Sequence, residues 1–74
     1  MMRSETLQKV QQTVFEATGE WPTEEARIRL LVTDSLELAS LMQALEDALG
    51  KDIPDEEAQS LFTVSDIVRY AEAH

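Results

Sequence analysis

Ser35 is the residue of this chain whose type and placement best suit covalent chemistry, because it stands in the run Asp34-Ser35-Leu36-Glu37 where a long amphipathic stretch begins. Asp34 has the short acceptor side chain of an N-cap, and Glu37 follows at the spacing that closes a capping box, so a helix start is specified twice. A serine hydroxyl in that first turn lies beside unsatisfied backbone N–H groups and the positive end of the helix dipole, surroundings that favour a phosphate ester. The same residues are ordinary capping chemistry. Alone, they do not separate a functional serine from a structural one.

Other chemistries find little support. A serine hydrolase needs a base held by the fold, and the sole histidine, His74, is the last residue. Asp55, Glu56 and Glu57 lack the alternating oxygen ligands and glycine of a calcium loop, and read instead as first-turn charges of a helix. Two glycines, Gly19 and Gly50, cannot make a glycine-rich phosphate loop, and without cysteine there is neither a disulfide nor a thiolate metal site. No catalytic residue and no metal site is expected.

The elements that must position Ser35 follow from apolar residues at helical spacing throughout. Ser4 is placed to cap a first helix with Leu7, Val10, Val14 and Ala17 inward, ended by Gly19. Trp21-Pro22 interrupts the pattern, and Thr23 with Glu24 and Glu25 resembles a second start signal leading to Ile28, Leu31 and Val32. The second long helix is expected from Ser35 to Leu49, stopping at Gly50, with Leu38, Leu41, Met42, Leu45, Ala48 and Leu49 in one inward sector. At about 100° per residue, Leu36 falls on the opposite side, beside Ser40, Gln43 and Asp47. Pro54 permits a fresh start, with Asp55 as cap of a short helix reaching about Leu61. Thr63 and Asp66 stand at capping-box spacing for a last helix with Val64, Ile67, Val68 and Ala71 inward. Phe15, Trp21, Phe62 and Tyr70 read as core or rim packing. The expectation is an all-α fold, a small four-helix bundle with three principal helices and one short one.

The 74 residues read as one domain, near the lower size limit for a core without staples. No apolar run is long enough for a membrane span, and Met1-Met2-Arg3-Ser4 does not begin a signal peptide, so a cytoplasmic monomer is expected. Six basic and fifteen acidic residues give a net charge of −9, which argues against nucleic acid or an anionic membrane as partner. Between Asp34 and Glu57 eight acids face one base, a net of −7, leaving −2 for the rest. Such a run is either a solvated face or a surface that steers basic partners.

From Asp34 to Ala58 the chain reads DSLELASLMQALEDALGKDIPDEEA, and with Phe62-Thr63-Val64 and Ile67-Val68-Arg69-Tyr70 it resembles the acyl carrier protein family over about the last forty residues. The triad Asp34-Ser35-Leu36 is a weak motif, but Ala44-Leu45-Glu46 and Ile53 to Ala58 follow at the family's spacing. The resemblance implies that Ser35 carries covalent 4′-phosphopantetheine, flanked by Asp34 and Leu36, and that the terminal thiol holds acyl groups as thioesters. It implies a phosphopantetheinyl transferase as modifying partner. Acyl- or aminoacyl-loading and biosynthetic enzymes with basic patches would then dock on Glu37, Glu46, Asp47, Asp55 and Glu56, with Leu36 as an apolar contact.

Three departures from the family pattern narrow this reading. Leu31-Val32-Thr33 replaces the usual glycine before the attachment pair, and the connection from the first helix is short and lacks its usual aromatic anchor, whose packing falls to Leu30, Leu31 or Val32. Ala39, Ser40 and Gln43 stand where fatty-acid carriers have larger apolar residues and an acid. A specialised carrier for an acyl, polyketide-type or aminoacyl cargo fits these changes. The alternative is a carrier-like module that is never modified and docks its acidic face on a basic partner.

Overall fold

The computed structural model of the chain describes residues 5–73, so the expected Ser4 cap and His74 lie outside it. Its helical segments are α1 (Glu5–Thr18), α2 (Ile28–Leu31), α3 (Ser35–Leu49), α4 (Asp55–Ala58) and α5 (Val64–Ala73). Three are long, and α2 and α4 are single turns. The bundle expected from apolar spacing is present, with α2 as an additional turn within the segment that lacked a clear pattern.

Helix α1 buries Leu7, Val10 and Val14 and also Thr13, whose hydroxyl donates to the Lys9 carbonyl at 2.7 Å and so meets no unsatisfied desolvation. Ala17, expected inward, is exposed. It lies in the last turn beside Ser40 and Ala44, where small side chains leave a groove instead of a packed seam. Gly19 ends the helix at φ +81°, its N–H donating to the Phe15 carbonyl at 2.7 Å. A residue with a Cβ would be strained there.

The Thr23 start signal does not begin a helix. Ala26 N–H donates to the Thr23 carbonyl at 3.2 Å, which makes a turn, and the helical residues begin only at Ile28 after an extended Arg27. Tertiary hydrogen bonds decide this conformation. Ile28 N–H donates to Phe62 O, Val64 N–H to Ala26 O and Ser65 N–H to Glu24 O, at 2.9, 3.2 and 2.9 Å, while Arg27 and Thr63 form an antiparallel bridge. These bonds stitch the connection onto the start of α5. Backbone groups that would otherwise be desolvated without partners are satisfied there.

Leu41 and Leu45 of α3 are the fully covered members of its stripe; Leu38, Met42, Ala48 and Leu49 are half-buried. With Val64, Ile67 and Ala71 of α5 they close the core on α1, and burial of each large aliphatic side chain contributes about 1.5–3 kcal/mol. Of the three candidates for the anchor before Ser35, Val32 takes the buried position, Leu31 packs at the edge, and Leu30 points to solvent. The four aromatic residues lie at the rim: Phe15 and Trp21 pack at 5.9 Å between ring centroids, Arg29 sits over Phe62, and Tyr70 Oη donates to the Asp52 carbonyl at 3.3 Å.

The last two helix starts differ in kind. At α4 the cap is Pro54, whose carbonyl accepts from Glu57 and Ala58 N–H, both at 2.9 Å; Asp55 is the first helical residue rather than the cap. The helix ends at Ala58, short of Leu61, because Ser60 and Leu61 N–H bond three residues back and tighten the chain. At α5 the reciprocal cap forms: Asp66 N–H donates to Thr63 Oγ1 at 3.1 Å, and Asp66 Oδ2 accepts from Phe62 and Thr63 N–H at 2.9 and 3.1 Å.

Candidate functional site

Ser35 is the first residue of α3, exposed, and its hydroxyl has no protein partner among the described residues. The helix start is held by Asp34. Its Oδ1 accepts from Leu36 N–H at 2.7 Å and from Glu37 N–H at 3.4 Å, and its carbonyl accepts from Leu38 N–H at 2.8 Å. Glu37 makes no return bond among the described residues, so the capping box expected here is one-sided. Two of the first-turn N–H groups expected to face a phosphate are therefore taken by a carboxylate.

Ser35 opens onto a groove of about 470 Å³ between α3 and the 53–58 segment, floored by Leu38, Met42 and Ile53 and edged by Arg29. Ile53 is buried because Pro54 holds the residue before it extended and because its N–H donates to Glu46 Oε2 at 2.7 Å. Glu46 thus commits one carboxylate oxygen to the loop that forms the groove wall. A second groove, about 490 Å³, lies on the other flank of α3 between Leu36 and Ala17. Leu36 borders it and is 78% exposed, on the solvent side where its spacing placed it.

The structure divides the expected contact residues. Glu46 and Asp55 share the Ser35 groove; Leu36 and Glu37 share the opposite one; Asp47 and Glu56 are exposed on neither. Arg29, whose Cζ lies 5.7 Å from the centre of the Phe62 ring, also lines the Ser35 groove without any motif to mark it in the sequence. An arginine six residues before Ser35 carries no periodic signal, and only the stitched connection brings it to the groove. Asp66 is the titrating group with a displaced pKa: the Phe62 N–H holds it below its ordinary 3.8, burial opposes this, and the Thr63 N–H and the Arg69 guanidinium at 2.7 Å add to the lowering. It serves the α5 cap.

An exposed, uncommitted hydroxyl at a helix start and an adjoining groove with an apolar floor suit an extended arm with a phosphate at its root. Both observations fit 4′-phosphopantetheine. Among the described residues no three acids or histidines are placed to hold a metal, and no helix is long and apolar enough to cross a membrane.

The fold is a small helical bundle that offers an exposed serine at the start of its acidic long helix. Residues 7–71 match the family model described as "Phosphopantetheine attachment site". The chain is 42% identical over 78 residues to an acyl carrier protein of Rubrobacter xylanophilus, with all of this chain and 96% of that protein covered. The chain belongs to the acyl carrier protein family, whose members bear covalently bound 4′-phosphopantetheine and are not themselves catalytic.

Proposed function

We propose that Ser35 is the attachment residue and that the protein carries acyl intermediates between enzymes of a specialised biosynthetic pathway. The observation that carries this reading is the exposed, uncommitted Ser35 hydroxyl at the head of the apolar-floored groove. A phosphopantetheinyl transferase would be the modifying partner. Ser35 Oγ attacks the pantetheine-bearing phosphorus of coenzyme A, its proton passes to the transferase, and the pyrophosphate bond breaks to release adenosine 3′,5′-bisphosphate. The attached group supplies a terminal thiol that holds the cargo as a thioester. The chain itself orients that arm and presents it.

The exposed carboxylates Glu37, Asp47, Asp55 and Glu56 support docking of enzymes with basic patches, and Leu36 offers them an apolar contact beside the arm. The exposed small or polar outer face, Ala39, Ser40 and Gln43, supports a polyketide-type or aminoacyl cargo handled by dedicated partners. We place this carrier in the cytoplasm as a monomer, modified and loaded in solution.

Incubation with a broad-specificity transferase, coenzyme A and magnesium should add one phosphopantetheine to the intact mass. Ser35→Ala should abolish the addition while the helical circular dichroism stays the same. No addition to the wild-type chain with several transferases would leave the other reading, an unmodified acidic docking module.

A further inference from the structure

The surroundings of Ser35 are acidic. Asp34 adjoins it, Glu37 is in the same turn, and Glu46 and Asp55 line the groove that it opens onto. A phosphodiester on Ser35 adds a negative charge to this set, and Asp34 already occupies the Leu36 and Glu37 N–H groups that would otherwise receive it. Arg29 is the one cation lining that groove among the described residues. No carboxylate pairs with it among those residues, whereas Arg69 is paired with Asp66 at 2.7 Å.

Arg29 is also held. Its guanidinium carbon lies 5.7 Å from the centre of the Phe62 ring, a cation–π contact that engages the charge without using the N–H donors. The backbone of Phe62 is held in turn, because its N–H donates to Asp66 Oδ2 and its carbonyl accepts from Ile28 N–H, both at 2.9 Å. Arg29 follows Ile28 directly, so the bond that anchors Phe62 also anchors the backbone that carries the arginine. The result is a planar, permanently charged donor set at the border between the Ser35 groove and the neighbouring cleft that holds Phe62, and a guanidinium can take two oxygens of one phosphate.

We propose that Arg29, supported on Phe62, is a phosphate-binding subsite that takes the phosphodiester at the root of the arm on Ser35. This rests on Ser35 as the attachment residue. Arg29 is a positioning residue: it offsets the repulsion from Asp34 and Glu37 and holds the root of the arm at the head of the groove. Arg27, two residues earlier, shares with Arg29 the neighbouring cleft of Leu30 and Phe62 but does not line the Ser35 groove, so it is the natural charge-matched control.

The test compares apo and phosphopantetheine-bearing forms of the wild type, Arg29→Gln and Arg27→Gln, each verified by intact mass. The readout is the difference in melting temperature between modified and apo protein at low salt. In Arg29→Gln that difference should be more negative than in wild type by roughly 2–5 °C, the size set by one partly exposed charge pair in a domain this small. Arg27→Gln should match wild type, and the Arg29 gap should shrink at high salt. In wild type the Arg29 Nε–H signal in 1H–15N spectra should shift on modification. Equal differences in all three proteins, or an equal effect of both substitutions, together with an unmoved Arg29 signal, would overturn the subsite. Failure of Ser35→Ala to block the mass addition would instead overturn the attachment reading, whatever Arg29 does.

Discussion

Glu46 Oε2 receives the Ile53 N–H at 2.7 Å, and this bond ties the last turn of α3 to the segment that walls the Ser35 groove. The same residue's carbonyl accepts the Gly50 and Lys51 N–H groups, so Glu46 organises the whole corner that ends α3. Gly50 turns that corner at φ +66°, a conformation that a residue with a Cβ adopts only with strain. A carboxylate expected from the sequence to be a docking charge thus has a structural task.

The two roles of Glu46 separate by substitution. Glu46→Gln keeps an acceptor for the Ile53 N–H and removes the charge; Glu46→Ala removes both. Denaturant melts should show a loss of about 1–2 kcal/mol for the alanine variant and markedly less for glutamine. Equal losses would mean that the bond contributes little. If Glu46 also steers partners by charge, both variants should slow modification by the transferase to a similar degree.

Asp66 contributes to the acid limb of stability. Its carboxyl is held below its ordinary 3.8, first by the Phe62 N–H, so its contribution is fully present above that value. The contribution is lost as pH falls through 3.8 toward the lowered folded-state value. Asp66→Asn should cost about 1 kcal/mol at neutral pH, in the range of a lost cap. The gap between variant and wild type should close below pH 3.8, as thermal melts from pH 7 to pH 2 would show. A gap independent of pH would contradict the charged cap.

Leu36 is 78% exposed, and its contribution to folding should be small. Leu36→Ala should change stability by less than about 0.5 kcal/mol while reducing the rate at which Ser35 is modified or loaded. A large stability loss with unchanged loading would reverse the assignment of Leu36 to partner contact.

Crowding a net of −7 between Asp34 and Glu57 should leave unrelieved repulsion, since the close ion pair among the described residues, Arg69 with Asp66, lies outside that stretch. The melting temperature at neutral pH should therefore rise with added salt or millimolar magnesium. The transferase reaction should slow over the same salt range if association is steered by charge. A melting temperature that falls on adding salt would show that attraction, not repulsion, dominates the surface.

Local rules place the helices α1, α3 and α5, although Ala17 is exposed and Glu37 makes no return cap among the described residues. Apolar residues recur at 3.6-residue spacing there, Gly19 and Gly50 stand where the chain must turn left-handed, and the Asp34 and Thr63–Asp66 caps involve residues within four positions of each other. The same locality makes the helix-start position of Ser35 and the exposure of Leu36 legible, because a residue's place on a helix depends only on counting from the cap. The 20–33 connection was different. Thr23 looked like a helix start, yet the backbone from Glu24 to Ile28 bonds to Phe62, Val64 and Ser65, nearly forty residues away, and that pairing outweighs a capping preference worth about 1 kcal/mol. The Ser35 groove, the tie between Glu46 and Ile53, and the placement of Arg29 over Phe62 likewise join residues whose separation in the chain carries no periodic trace. Helical periodicity and capping act over a few residues and can be read along the chain; the groove walls and the cation at their edge exist only after α3, α4 and the stitched connection have packed together.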